Sequence, residues 1–407
     1  MWKKVILLSL VIFVLSPTDA WGNVRRISGS NRYQTNIMTI QESFSSTDKV
    51  ILVSGENWPD AIGAGVLATQ EKAALFICPK NNITTEIYSS LLNLGVKDII
   101  IIGGAGSISE NVENILKNKG YNVDRISGIN RYQTAIKVAE KIPDMTNETM
   151  FLVSGENFPD ALTVNTIAAS TGYPILMAGK SSISQEAIDF IQKRQPQRII
   201  IVGGTGAISA SVEETIKQYS DITRIGGINR YETAIRLMEW YQKEGGEINQ
   251  IKIASGENWP DALGSSQYNN DNSMLLLSPY TANSIINDKI KSTLPETITI
   301  FGGLGVISLS QEMILENILV PTYQITDLSL QEKYDIIARK YPFALGAVTI
   351  YGDAKGYQAV CYYKSGKIVV DKNHTSDINR ILSHEMWHII DWNDNGIIDW
   401  GENIPPQ

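Results

Sequence analysis

The sharpest chemical signal in the 407-residue chain is His384-Glu385-Met386-Trp387-His388. Side chains four positions apart share one face of a helix, so His384 and His388 can hold one zinc ion between them. Glu385 would then act as general base, polarising a metal-bound water. Two of the three histidines in the chain fall within these five residues, which argues against a chance match.

A zinc site of this kind needs a further protein ligand. The stretch resembles the core of zinc metallopeptidases of the zincin type, with the helix lying behind a strand at 367–371. The resemblance covers about the last 70 residues and implies a peptide or protein substrate. Asp394, ten residues after His384, stands at the third-ligand place of peptidases resembling the metzincins, and Asp391 replaces their turn glycine. Glu402 is an alternative ligand. The chain ends abruptly at Pro405-Pro406-Gln407, so a truncated core with its third ligand further on is also compatible.

The same stretch carries a second metal signal. Asp391-Trp-Asn-Asp-Asn-Gly-Ile-Ile-Asp-Trp-Gly-Glu402 fits an EF-hand calcium loop. Oxygen ligands would come from Asp391, Asn393, Asn395, Asp399 and Glu402, with Gly396 at the sharp turn. Two prolines follow at once, so the exiting helix of such a hand is missing. A non-enzymatic adhesin stabilised by calcium is the alternative that this loop supports.

Upstream, the candidate residues come in threes. RISGSNRYQT begins at Arg26, RISGINRYQT at Arg125 and RIGGINRYET at Arg224, a spacing of 99 residues. SGENWPDAIG, SGENFPDALT and SGENWPDALG follow from Ser54, Ser154 and Ser255. A GGxGxIS block ends each unit, at Ser109, Ser209 and Ser308. Arg32, Arg131 and Arg230 occupy one repeat position, and Arg26, Arg125 and Arg224 another. A guanidinium forks two hydrogen bonds onto phosphate or carboxylate, so these arginines suit an anionic polymer. The competing role is an internal ion pair with Asp60, Asp160 or Asp261.

Gly103-Gly104, Gly203-Gly204 and Gly302-Gly303 follow a strand and precede a helix. They suit an anion cradle or, more simply, a tight turn, and no Gly-Lys-Ser/Thr follows to make a nucleotide loop. Glu56 with Asp60, and the equivalent pairs, could serve a wall-glycan hydrolase. No histidine precedes residue 374, however, and helix capping or packing between modules is the better role. Trp58, Phe158 and Trp259 suit sugar stacking or packing.

The elements that must position these residues alternate. Within the first unit, 31–44 reads as a helix, 50–53 as a strand, 59–69 as a helix and 74–77 as a strand. A helix at 85–94 and a strand at 98–102 follow, and Ser109 caps a last helix. Such alternation predicts α/β modules, each with a parallel sheet covered on both faces and its own core. After Ser308 the pattern changes. A helix at 328–341, strands at 347–351, 357–363 and 367–371, and a helix at 376–390 predict a small α+β domain.

The NRYxT, SGExxPDA and GGxGxIS blocks resemble those of the cell-wall-binding repeat 2 family of clostridial and related Gram-positive surface proteins. The resemblance covers residues 24–320. It implies three modules in a pseudo-threefold unit that hold the protein non-covalently to an anionic cell-wall polymer, while another domain supplies activity.

The remaining features bound this reading. Lys3-Lys4 followed by the apolar run 5–15 and a small-residue site reads as a signal peptide over 1–20, with cleavage after Ala20. No later run is long enough for a membrane span. A net charge of −8 argues against nucleic acid and requires any anion to be met by a local patch. Cys78 and Cys361 are too few and too far apart for a disulfide scaffold. The expected division is repeats at 24–122, 123–221 and 222–320, then a zincin-like domain at 321–407.

Overall fold

The computed structural model describes residues 23–145, 148–268 and 272–397. The segment read as a signal peptide lies outside them. Strands in chain order are β1 (Asn23–Ile27), β2 (Lys49–Ser54), β3 (Ala74–Cys78), β4 (Asp98–Ile102), β5 (Asn122–Ile126), β6 (Thr149–Ser154), β7 (Ile175–Ala178), β8 (Arg198–Val202) and β9 (Asp221–Ile225). They continue with β10 (Gln250–Ser255), β11 (Ser273–Ser278), β12 (Thr297–Phe301), β13 (Val348–Gly352), β14 (Ala359–Tyr362) and β15 (Lys367–Asp371).

The alternation of strand and helix produces three parallel sheets, ordered β3-β2-β4-β5, β7-β6-β8-β9 and β11-β10-β12-β1. The strands are near-continuous apolar runs because both faces are covered. Along β2, Val50 and Leu52 face an outer core beneath the helices Arg32–Ser43, Thr85–Leu94 and Glu110–Asn118, whereas Ile51 and Val53 face a core shared with the other modules. This two-residue alternation is the strand period at work.

The shared core is built from the segments that follow each SGExxPDA block. Helix Phe158–Thr171 is buried without a break from Ala161 to Ala169, with Thr163, Asn165 and Thr166 among its apolar residues, so this stretch has no solvent face. Ala64–Gln70 and Pro260–Gly264 meet it there. A single helix after Pro59 was expected in the first module. Instead Pro59–Ala61 forms one 3-10 turn, and Gly63 at φ +85° redirects the chain into Ala64–Gln70.

Module boundaries differ from the sequence repeat in an informative way. The Arg-Ile-Ser/Gly strand that opens each repeat completes the sheet of the preceding module: β5 pairs with β4, and β9 with β8. The strand that opens the first repeat, β1, instead crosses the molecule and pairs in parallel with β12, from Asn23↔Thr297 to Ile27↔Phe301. The ring of modules is thereby closed by its own N-terminal strand. Repeat similarity cannot display this, because it aligns segments without saying which sheet each joins.

Edge strands are also treated unequally. Asn36 Nδ2 donates to Leu75 O (3.0 Å) while its Oδ1 accepts from Ile77 N (2.9 Å), and Gln267 bonds Ala73 O and Leu75 N. The free edge of β3 is thus covered by side chains of two other elements.

The terminal domain is small and α+β. It carries a mixed sheet, β13-β15-β14, in which β14 is antiparallel to β15. Helices Ile325–Ala338 and Ile378–Asn395 pack on it through Tyr334, Leu382, Met386 and Ile389. Both cysteines are free thiols, and among the described residues no helix is long and apolar enough to cross a membrane.

Candidate functional site

The strand order of each sheet reverses between its first and third strands, β2 and β4 in the first module. In open parallel sheets such a switch point opens a crevice at the carboxyl ends of the strands. The SGExxPD loop lies on one side of that crevice and the Gly-Gly loop on the other. The NRYxT block arrives on the adjoining strand.

Each residue of that block has a structural role. Asn31 caps its helix by accepting from the amides of Tyr33 and Gln34 (3.0 and 3.1 Å), Asn229 does the same with Tyr231 and Glu232, and Asn130 accepts from Gln133 N. Thr35 Oγ1 accepts from Gly29 N at 3.0 Å, with equivalents at Thr134 and Thr233. The Tyr33 ring lies so close to Gly55 that any Cβ there would sit 2.4 Å from it; Tyr132 on Gly155 and Tyr231 on Gly256 repeat the contact. This close approach explains the glycine of the SGE block.

Arg32, Arg131 and Arg230 reach across module junctions. Their Nη1 atoms donate to the carbonyls of Gly55 (2.7 Å), Gly155 (2.5 Å) and Gly256 respectively. Their guanidinium carbons stand 5.8, 5.9 and 5.6 Å from the rings of Trp259, Trp58 and Phe158. Each arginine therefore joins a turn of its own module to an aromatic of the preceding one in the ring, a cation–π clamp. The expected ion pair with the repeat aspartates is replaced by this carbonyl contact. The second arginine set is wholly internal: Arg26, Arg125 and Arg224 pair with Glu312, Glu113 and Glu213 and donate to the carbonyls of Gly302, Gly103 and Gly203.

The aspartates lie beneath the glycine loops. A Cβ on Gly103, Gly203 or Gly302 would come within 2.9, 2.7 and 2.7 Å of the carboxylates of Asp60, Asp160 and Asp261, and these glycines hold φ of +110°, +120° and +108°. Turn geometry and close approach both demand glycine. Ser107 donates to Asp60, but Ala207 and Val306 stand at its place in the other modules. Burial pushes Asp261 up to about 6, with Arg32 opposing, and raises Asp160 against a hydrogen bond from Thr233 and the charge of Arg230.

Two junctions enclose clefts. One of about 260 Å³ is lined by Asn31, Arg32, Asn258, Asp261, Gly303 and Gly305; one of about 320 Å³ is lined by Asn157, Asp160, Gly204, Gly206, Asn229 and Arg230. The acids meant for a hydrolase are otherwise engaged. Glu56 and Glu156 accept the amides of Lys80 and Lys180 at 2.9 Å, stabilising a turn. Ser109 and Ser209 occupy the N-cap position without a side-chain capping bond to a helix amide, whereas Ser308 accepts from Gln311 N.

On the terminal helix, His384 and His388 share a face, with ring centroids 5.0 Å apart and planes at 89°. Glu385 is buried and accepts the backbone N–H of Cys361 on β14; burial pushes it up to about 7. Burial and His384 lower His388, with Asp391 opposing.

The helix extends beyond its expected end to Asn395 and stops at Gly396, φ +76°. Asp394 therefore sits about 9 Å further along the axis than His388, and rotated by about 240°. It is not brought to the two imidazoles. The calcium reading needed a loop from Asp391; instead Asp391, Asn393 and Asn395 are helical and diverge. Asp391 is buried, Asn393 donates to Phe343 O (2.7 Å), and Asn395 accepts from Ile397 N (2.7 Å). Asp399 and Glu402 lie outside the described residues. Among the described residues no group of three or more His, Cys, Asp or Glu side chains could hold a metal ion. The described donors thus amount to two imidazoles, short of a zinc site.

Comparison with known proteins agrees with the repeat geometry. The family model described as Cell wall binding domain 2 (CWB2) matches residues 26–113, 125–213 and 224–312. The N-acetylmuramoyl-L-alanine amidase LytC of Bacillus subtilis (strain 168) is 35% identical over 257 residues, 63% of this chain and 50% of that protein. The amidase enhancer of the same organism is 31% identical over 270 residues, 65% of this chain and 36% of that protein. The chain spans half or less of the length of these relatives. Cwp6 from Clostridium difficile superposes with a TM-score of 0.68 at 19% identity, covering 89% of this chain and 61% of that one. Cwp8 gives 0.66 at 22%, covering 74% and 52%. At those identities the likeness is one of fold.

Proposed function

The chain belongs to the cell wall binding domain 2 family, and from that premise we propose that its ring of modules fastens the protein to an anionic polymer of the Gram-positive wall, with the junction clefts as the contact. It is a secreted protein of the cell wall or surface, and domains of this family bind cell-wall polymers. The observation that carries the finer reading is the recurrence of one cleft design at the junctions: an arginine held by a glycine carbonyl and an aromatic ring, beside a glycine loop. The carbonyl takes Nη1 alone, and a guanidinium carries five N–H donors. Because the chain is acidic overall, an anion must be met by such local cations.

Retention on purified Gram-positive walls tests this, before and after hydrofluoric acid removes their phosphodiester-linked polymers. Loss of retention on stripped walls is expected, along with weakening as salt rises. Equal retention on both would sink the anionic-polymer reading; retention on neither would sink wall binding itself.

A second reading, peptidase activity of the terminal domain, is favoured by one observation: two imidazoles on one helix face beside a carboxyl raised to about 7. Since the described donors do not complete a zinc site, no catalytic step is derived. Its test is metal content.

A further inference from the structure

The three modules are not equivalent at their loop ends, and the third departs from the others where the terminal domain meets it. Ser109 N, Ser209 N and Ser308 N donate to the carbonyls of Lys80, Lys180 and Tyr280, which fixes these three as one repeat position. The first two modules carry lysine there and the third a tyrosine. Between the loop glycines stand Ala105, Thr205 and Leu304. Ala105 and Thr205 are exposed, whereas Leu304 is half-buried.

Both departures are used. Tyr280 is buried, its hydroxyl donates to Asp335 O at 3.1 Å, and the Arg339 guanidinium lies 4.1 Å above its ring. Arg339 also pairs with Glu257 at 2.5 Å; the equivalent Glu56 and Glu156 instead hold the lysine turns of their own modules. Asp335, buried, accepts Ser310 N at 2.7 Å, and the equivalent Asn111 and Ser211 are exposed. Leu304 Cδ1 comes within 3.1 Å of the Cβ position of Gly346, and Leu345 within 3.7 Å of that of Gly305. A tyrosine, a leucine and a freed carboxylate at three separate repeat positions all meet one partner.

We propose that the loop end of the third module is a docking platform for residues 325–346 of the terminal domain, and that wall polymer is taken by the loop ends of the first two modules. The second half of this rests on the wall-binding reading above. The physical reason is steric. Glu257 adjoins Asn258, and Leu304 lies between Gly303 and Gly305; Asn258, Gly303 and Gly305 line the cleft that holds Arg32 and Asp261. A polymer running across that cleft meets the terminal domain at both walls. The exposed side chains agree with this asymmetry: Ile129 and Ile228, each 87% exposed, flank the first two loop ends, and Ser30 stands at their position beside the third.

Hydrogen exchange on the full chain tests both halves. In solution, Tyr280→Lys combined with Leu304→Ala gives the third module the residues of the first, and Arg339→Glu removes the Glu257 pair and the cation–π contact on Tyr280 while leaving the third module's own residues in place. Exchange across 325–338 is expected to quicken at least tenfold in both variants while that of β10 and β12 is unchanged. Unchanged exchange across 325–338 overturns the platform. On purified walls, protection is expected at 103–107 and 203–207 but not at 302–306. Equal protection at all three loops overturns the division of labour, whereas protection at none, in a chain retained by the walls, counts against the cleft reading and leaves the platform to the solution arm.

Discussion

Asp261 offers the most direct check on how the clefts are built. It lies beneath Gly302, lacks the serine hydroxyl that serves Asp60, and is pushed up to about 6 chiefly by burial. An acid whose folded pKa exceeds its unfolded value binds protons more readily when folded. Its contribution to stability is therefore fully present below the unfolded value near 3.8 and is lost as pH rises through about 6. The gap between those values corresponds to about 3 kcal/mol at 1.36 kcal/mol per pH unit. The carboxyl borders a cleft open to water, so roughly 1–3 kcal/mol is the expected range. Asp261→Asn removes the charge and keeps the shape. Compared with wild type by denaturant unfolding, the variant should gain most at pH 7–8, about half as much near pH 5, and keep little of its advantage by pH 4. A constant difference from pH 4 to 8 would refute the reasoning, since titration of this carboxyl is its only source of pH dependence.

Three further outcomes follow from the geometry. Gly302→Ala places a Cβ against Asp261 at positive φ and should cost about 2–4 kcal/mol, whereas Gly303→Ala, with open space around it, should cost under 1 kcal/mol; thermal unfolding distinguishes them. Deleting residues 1–27 removes β1 and leaves β12 with an unpaired edge, so exchange in β10 and β12 should rise well above that in β6 and β8; uniform exchange would contradict ring closure. Elemental analysis of residues 21–407 should return about one zinc per chain, lost in His388→Ala, if the terminal domain is a zinc peptidase; no zinc in either, even after zinc is supplied, would remove that reading.

The sequence was most legible where one residue type answers one local demand. The strands at 98–102 and 367–371 and the helix at 85–94 coincide with the structure, because apolar period and flanking caps decide them locally. The asparagine of NRYxT is an N-cap signal in its own right, and the structure uses it as one beside the arginine that carries the binding reading. What a single sequence hides is the partner of each repeated residue. Residue type alone pairs Arg32 with Asp60-type acids, but its partners are a glycine carbonyl in one module and a tryptophan in another. The terminal helix shows the opposite error. A match to loop spacing from Asp391 to Glu402 competed with continued helix, and helix won as far as Asn395, because Ile389, Ile390 and Asp391 extend the buried face.

Ring closure ties these observations to function. If each module ended with its own repeat, three independent domains would share an interface, and tension on the terminal domain could peel one from the next. Instead every sheet takes its last strand from the following repeat, and the first strand returns to the third sheet. The cation–π contacts of Arg32, Arg131 and Arg230 cross the same junctions. Pulling on the terminal domain loads the third module, to which it is docked, and that module contains β1. Separating the third module from the ring therefore requires either breaking the β1–β12 ladder or drawing β1 away from the first helix of the first module. Parallel strands loaded along their length must break their hydrogen bonds together rather than one by one. A cell-wall protein under load needs that resistance, and a design that closes on itself supplies it without a disulfide.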